Sequence, residues 1–316
     1  MPAAPPTTVP SLPPFRGRIG SDANSGYHAV PHRYRLHLSL SCPHCLRIAI
    51  THSLLALDGV LPVVLLPAVP DEPDGGHSAL RPLYEASAHR YPGPTAAPVL
   101  SDDWTGRIVS THTPEILRDL ARGFGGDGPG RPALYPRGAE AQIDAVERLC
   151  AHHIGRAAQH AGQAGTDATA RRAALASLYR ALGSLERRLA TRDFVLGDEP
   201  TAADVRLWVT LVELDGVHRR HLDAAAVHRI ADHPHVWAYA RRLAAHPAFG
   251  PHLDLEGIAR RHHAHCRGLE AAGEAVQILD WAVHVAEGTA ARPAPAPPGD
   301  FTEPQYALHL PPSGSA

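Results

Sequence analysis

The 316 residues predict an α/β half followed by an all-helical half. Three observations carry that prediction. An alternating apolar run gives way to a helical one at Cys42-Pro43-His44-Cys45. Two further short strands and a helix follow before residue 125. Beyond the glycine- and proline-rich stretch GGDGPGRPALYPRG (125–138), every periodic segment has helical spacing.

From Arg33, RYRLHLSL alternates as a strand does, IAITHSLLAL has the spacing of a helix, and VLPVVLLPAV reads as a buried strand, which makes a βαβ unit. APVLSDD (97–103) and GRIVS (106–110) read as two short strands joined by a turn at Asp103-Trp104-Thr105-Gly106, and TPEILRDLARGFGG as an amphipathic helix closed by glycines. The order βαβ then ββα is the thioredoxin-like plan. After the break, Ile143, Val146, Cys150 and Ile154 mark one helix face, and Leu175, Leu178, Tyr179, Leu182, Leu185 and Leu189 a second. ADVRLWVTLVEL (203–214) is apolar nearly all round and should be the central helix. Ahead of it, Thr201 and Asp204 form an N-capping pattern with a structural role. The expected organisation is a Pro-rich arm (1–14), a thioredoxin-like domain (15–124), a linker (125–138), a helical domain (139–287) and a Pro/Ala-rich tail (288–316), with arm and tail mobile.

A formal net charge of −2 exerts no general pull on nucleic acid or anionic membrane, so neither is an expected partner. No apolar stretch approaches the roughly 20 residues that a bilayer requires. The N-terminus has no basic region followed by an apolar core, so no secretory signal is expected and the predicted address is cytoplasmic. Four cysteines are too few for a disulfide framework in a chain of this length, and in a reducing compartment a CxxC is a catalytic or metal-binding motif before it is a structural bridge. All the basic charge is arginine, with no lysine, which reads as the codon bias of a GC-rich genome and carries no function.

Taken together, a cysteine at the start of the first helix of a thioredoxin-like half, the APVL segment before a hairpin and the PTAADVRLW cap of a buried helix resemble the cysteine-containing glutathione transferases. FRGRI (15–19), HRYRLHLSLSCP, LRPLYEASAHRYPGPTAAPVLSD, RIVSTHTPEILRDL and LGDEPTAADVRLWVTLVELDGVHRRHL run in the order and spacing of the glutathionyl-hydroquinone reductases, also called xi-class glutathione transferases. The resemblance covers about residues 15–268. It implies a thioredoxin-like domain with a transferase-type helical domain, a homodimer, and a small thiol as cosubstrate.

A thiol at a helix N-terminus faces unpaired backbone N–H groups and the positive end of the helix dipole, which favour thiolate over thiol and can bring a cysteine pKa to roughly 3.5–7.5. Cys42 is so placed. Pro43 suits the first helical position, and His44 adds positive charge when protonated. Cys42 is therefore the expected nucleophile. The resemblance implies the same, since in those reductases this cysteine attacks the sulfur of a glutathionylated hydroquinone, releases the quinol and leaves a mixed disulfide for a second glutathione to resolve. The family motif is usually Cys-Pro-Trp-Ala, so His44 and Cys45 are departures. Cys-Pro-His-Cys is instead the motif of strongly oxidising thioredoxin-like disulfide oxidases, which makes Cys45 either a resolving thiol or a small buried hydrophobe.

The resemblance implies that the thiol's peptide backbone lies beside Ala97, ahead of a cis-proline at Pro98, and that its γ-glutamyl end meets a Glu-Ser or Gln-Ser pair. Here that pair is His112-Thr113. A histidine offers an ammonium no permanent carboxylate, so the cosubstrate is glutathione or a sugar-based thiol such as mycothiol, and His112 is either a ligand or a capping residue. Family tyrosines lining the acceptor pocket fall near Arg156, His218, His262 and His263, which implies a more polar pocket for an electrophilic or disulfide substrate. Among 23 histidines, His262 and Cys266 share a helix face and could fill two positions of zinc. Two ligands do not make a site, and no metal is expected. Three classes compete: a thiol-dependent reductase or transferase, a two-cysteine disulfide oxidoreductase, and a noncatalytic dimer module that keeps only the fold.

Overall fold

The computed structural model describes residues 15–20, 26–125, 131–266, 278, 279 and 281. The expected arm (1–14), the tail (288–316) and the middle of the 125–138 break lie outside these residues. Ile19–Gly20 (β1) pairs in parallel with Tyr27–His28 (β2) as a minor sheet. The main sheet is built from Tyr34–Leu38 (β3), Val63–Leu65 (β4), Val99–Asp102 (β5) and Arg107–Ser110 (β6), in the order β4-β3-β5-β6. β3 runs parallel to β4 and antiparallel to β5, and β5 is antiparallel to β6, with Leu36 opposite both Val63 and Leu100. Alternation along β3 buries Tyr34, Leu36 and Leu38, as a period of two requires when one face is in the core. Gly106 closes the β5–β6 turn with φ +65°, a conformation glycine adopts without steric cost.

β4 departs from expectation. The apolar run around it reads as a buried strand, yet Val63 and Leu65 are 36% and 63% exposed. Among the described residues β4 is an edge strand, with β3 as its one neighbour in the sheet. A continuous apolar run does not distinguish a central strand from an edge strand, because position in the sheet depends on which strands pair with it.

Pro43–Leu54 (α1) crosses between β3 and β4, Arg81–Ser87 (α2) precedes β5, and Thr113–Asp119 (α3) follows β6. The helical half comprises Glu140–Arg148 (α4), Arg156–Gly162 (α5), Ala168–Leu189 (α6), Ala202–Gly216 (α7), Ala224–Ala231 (α8), Pro234–Ala244 (α9) and Leu255–His265 (α10). A widened helical stretch, Leu149–Gly155, joins α4 to α5. Ile143, Val146, Cys150 and Ile154 all point into the core, as do Leu178, Leu182, Leu185 and Leu189, while Leu175 and Tyr179 are partly buried.

α7 is the central helix. Its Trp208 is fully buried, donates from Nε1 to the Ala240 carbonyl at 3.1 Å and meets Phe249 edge-on at a centroid distance of 5.4 Å. α1 packs along α7. The contact is keyed by charge: Arg47 of α1, 4% exposed, pairs with Glu147 of α4, which also lies 3.4 Å from Arg206 of α7.

The start of α7 is held by Asp204. Its fully buried carboxylate accepts from the Thr201 backbone N–H (2.8 Å), the Thr201 hydroxyl (2.9 Å), the Val195 N–H (2.7 Å) and the Tyr239 hydroxyl (3.0 Å). Near the other end Asp215 accepts from the Ile278 and Leu279 N–H groups, each at 3.1 Å, and from the Trp281 indole at 2.8 Å. Replacing Asp204 strands several buried donors, each costly when unpaired. Asp204→Ala is expected to lower unfolding free energy by about 2–4 kcal/mol, read in urea as a lower midpoint at unchanged slope.

Candidate active site

Cys42 caps α1 in an extended conformation (φ −90°, ψ 125°), so the helix begins at Pro43 and the thiol sits at its N-terminus. The turn ahead of it is strapped to the segment after β4: the Ser39 hydroxyl donates to the Pro67 carbonyl at 2.9 Å, and the Ser41 hydroxyl to the Ala68 carbonyl. The Cys42 N–H donates to the Ser39 carbonyl, and the Cys42 carbonyl accepts from Leu46 N–H, both at 2.9 Å. These bonds hold the thiol against the first turn of the helix.

Two cysteines at this place titrate as a pair, and their environments drive them apart. Hydrogen bonding from the Cys45 thiol pulls Cys42 down to about 5, against burial, with help from the Arg261 charge, the Cys45 backbone N–H and His44. Burial, together with the neighbouring Cys42 thiolate, pushes Cys45 well up. The resting pair is thus a Cys42 thiolate beside a Cys45 thiol one turn in. His44 is exposed as a residue, yet its imidazole is lowered, first by desolvation and then by Arg47 and Arg206, against the Cys42 thiolate and Glu147. It is mostly neutral at pH 7, and Arg261 supplies the larger charge.

The turn at Cys42 borders a cleft of about 190 Å³ between α1, α7 and α10. Its apolar wall is Pro43, Leu46, Val209, Val212, Val217 and Ile258, and its polar groups are Ser41, Glu213, Arg261, His262 and His265. Burial pushes Glu213 up to about 7; the Cys42 thiolate adds to the rise, and Arg206 and Arg47 oppose it. A carboxyl that is half neutral near pH 7 therefore lines the cleft that the turn at Cys42 borders. His77 is also near: it is 1% exposed with no hydrogen-bond partner for Nδ1, and burial and then Arg261 hold its imidazole down while Asp71 and Cys42 raise it.

The other expected residues are placed as follows. The Ala97–Pro98 peptide is cis, at the start of β5. His112 caps α3 and Thr113 begins it, buried. The His112 ring lies 3.0 Å from the Arg16 guanidinium and 3.4 Å from Glu115, which is itself 3.2 Å from Arg16. His262 lines the cleft; Arg156, His218 and His263 are not among its lining residues. Arg156 is exposed at the start of α5, His263 is exposed, and His218 sits partly buried in the turn after α7. The reason is helical phase: alignment gives a position along the chain, and neighbours on a helix point about 100° apart.

Glu213, Arg261, His77 and His265 were not singled out from sequence. Glu213 had a signal, a carboxylate inside a helix otherwise apolar nearly all round. Arg261 and His77 had none, because their closeness to Cys42 is made by the fold.

Residues 167–242 match the family described as glutathione S-transferase, C-terminal domain. The chain is 30% identical to a glutathione transferase of known structure from Gordonia bronchialis, covering 81% of this chain and 84% of that one with a TM-score of 0.70. The chain belongs to the glutathione transferase family. Its similarity extends to xi-class transferases of known structure. The xi-class transferase of Phanerochaete chrysosporium superposes with a TM-score of 0.69 at 26% identity, covering 82% of this chain and 88% of that one. The glutathionyl-hydroquinone reductase PcpF of Sphingobium chlorophenolicum is 29% identical over 264 residues, 79% of this chain and 82% of that protein.

For this chain the geometry sets a pH dependence. A group whose folded pKa is lowered is ionised over a wider range, so the rate of Cys42 alkylation should be level at neutral pH and fall as pH drops through about 5. Removing the nearby cation in Arg261→Ala should move that midpoint upward and slow alkylation at pH 5 by about twofold to tenfold. Iodoacetamide rates followed by mass spectrometry, with Cys42→Ser as the blank, make the measurement.

Proposed function

We propose that the protein is a thiol-dependent reductase in which the Cys42 thiolate attacks the sulfur of a thiol-conjugated or disulfide substrate. The observation that carries this reading is the helix-start Cys42, lowered by Cys45 and Arg261, at the edge of a cleft that also holds Glu213. The new bond joins Cys42 Sγ to the substrate sulfur. The bond from that sulfur to the leaving group breaks, its electron pair leaves with that group, and the group takes a proton. A second thiol then attacks the mixed disulfide, releases the symmetrical disulfide and returns Cys42 as thiolate. The names of its relatives support a glutathione conjugate of a hydroquinone as the substrate type. So does the cleft: about 190 Å³ with an apolar wall accommodates one aromatic ring, given that a cavity of about 150 Å³ holds benzene.

Glu213 is the proton donor in this scheme. It replaces the tyrosines that the resemblance led one to expect, and it is competent while neutral, below about 7. The sign follows: activity rises as Cys42 ionises through about 5 and falls as Glu213 ionises through about 7. Glu213→Gln should remove the falling limb and slow cleavage of a glutathionyl-hydroquinone by about a hundredfold at pH 6. Exchange with a simple disulfide should change little, because a thiolate leaves without a proton.

The cosubstrate is a small thiol. The Arg16–His112–Glu115 cluster favours one whose recognised end is not an ammonium, since Glu115 is already paired with Arg16 and His112 carries no fixed negative charge. Mycothiol fits that description, and glutathione stays the alternative. A cytoplasmic homodimer belongs to the same reading. Among the described residues no helix is long and apolar enough to cross a membrane.

One observation favours a second reading, a two-cysteine disulfide oxidoreductase: the buried Cys45 thiol lies close enough to Cys42 to pull its pKa down. Activity of the single variants decides between them, assayed on glutathione and mycothiol mixed disulfides with the matching thiol. On the first reading Cys42→Ser loses at least about a thousandfold and Cys45→Ser keeps activity with excess thiol. Equal loss in both variants establishes the dithiol reading. Full activity in Cys42→Ser overturns both and leaves a noncatalytic module.

A further inference from the structure

The sequence offered two metal ligands, His262 and Cys266, and the fold adds a third. His221 closes the short turn His218–His221 after α7, His262 lies in the last turn of α10, and Cys266 directly follows that helix. The Cys266 N–H donates to the His262 carbonyl at 2.9 Å, so helical geometry continues through Cys266 and keeps the two side chains on one face. His221 meets that face from the facing turn, its Nε2 2.7 Å from the Nε2 of His262. Two ring nitrogens at that distance would by themselves be a hydrogen bond and nothing further. Here one ligand atom from each of the three residues lies within 4.8 Å of the others, and each residue is partly buried. The approach of His221 is permitted by Gly162 at the end of α5, where a β-carbon would stand 2.7 Å from the His221 Cβ.

We propose that His221, His262 and Cys266 form a zinc site. Two imidazoles and a thiolate are the borderline-soft donors that zinc takes, and no carboxylate in the cluster points to magnesium or calcium. Tetrahedral zinc, with bonds of about 2.0–2.1 Å to nitrogen and 2.3 Å to sulfur, sets its ligand atoms roughly 3.3–3.6 Å apart. The two Nε2 atoms need open by roughly half an ångström, and the sulfur close in by about as much as a rotamer adjustment allows. Three protein ligands leave one position for water. Bound there, the metal ties the end of α10 to the turn after α7, and so holds Arg261, the neighbour of His262, in place over the cleft.

Cobalt(II) is the probe, because its visible bands report coordination and a near-ultraviolet thiolate band reports sulfur. The test uses the full chain carrying Cys42→Ser and Cys45→Ser, so that the CxxC thiols cannot hold the metal, after removal of metals with a chelator. The expected result is one cobalt per chain with tetrahedral visible bands and a thiolate band, all displaced by an equivalent of zinc chloride. Adding Cys266→Ser should abolish the thiolate band, and adding His221→Ala should weaken cobalt binding at least about tenfold, with circular dichroism showing each variant folded. Cys266 is partly exposed at a helix end, so its serine variant decides the matter even where His221→Ala does not fold. Absence of stoichiometric cobalt binding, or a thiolate band that survives Cys266→Ser, overturns the proposal.

Discussion

The packing of α1 on α7, keyed by Arg47, Glu147 and Arg206, is the contact on which the rest of this molecule depends. α1 begins just after Cys42 and α7 carries Val209, Val212 and Glu213, so the axial register between these two helices decides what lies beside the Cys42 thiolate. Apolar packing alone tolerates sliding by a turn, because one ridge of aliphatic side chains resembles the next. A buried guanidinium does not. Slipping α1 would leave Arg47 without the Glu147 carboxylate in a place where water cannot replace it, and breaking such a pair is far costlier than the pair's net contribution to stability. The charge cluster therefore acts as a register key between the sheet-bearing half and the helical half.

Within that frame two neighbouring acids are driven in opposite directions. Cys42 gains donors from Cys45 and the helix start, and a cation from Arg261. Glu213 loses water and faces a thiolate. Separating pKa values by environment is how one site holds a nucleophile and a proton donor at the same pH. The two groups interact, so the observable transitions belong to the pair, Glu213 ionising less readily because Cys42 is already a thiolate.

The proposed thiol subsite is where the chain diverges most from what its class resemblance implies. The cap of α3 carries His112, and the adjacent Glu115 is committed to Arg16 on the segment leading into β1. That arrangement replaces an exposed anion by a nearly balanced cluster. Recognition of a cationic end loses its Coulombic partner there, while hydroxyl and carboxylate groups still find donors in the guanidinium and the α3 N-terminus.

The sequence by itself determined what is local or periodic. The alternation of β3, the cysteine at the start of α1, the Asp204 cap, the apolar circumference of α7 and the order of motifs follow from rules spanning a few residues, and in each of these the chain's neighbours are also its spatial neighbours. It misplaced β4 as a buried strand and carried Arg156 and His263 to a cleft they do not line, since sheet order and helical phase are set by partners far along the chain. Only the tertiary structure decided that Arg261 and Glu213 face Cys42, that Arg16 holds His112, and that His221 completes a cluster with His262 and Cys266. The physical reason is the same in each case: these pairings are made by elements brought together through burial of apolar surface, which is non-directional, so no local pattern in the sequence encodes which polar groups meet once the core has closed.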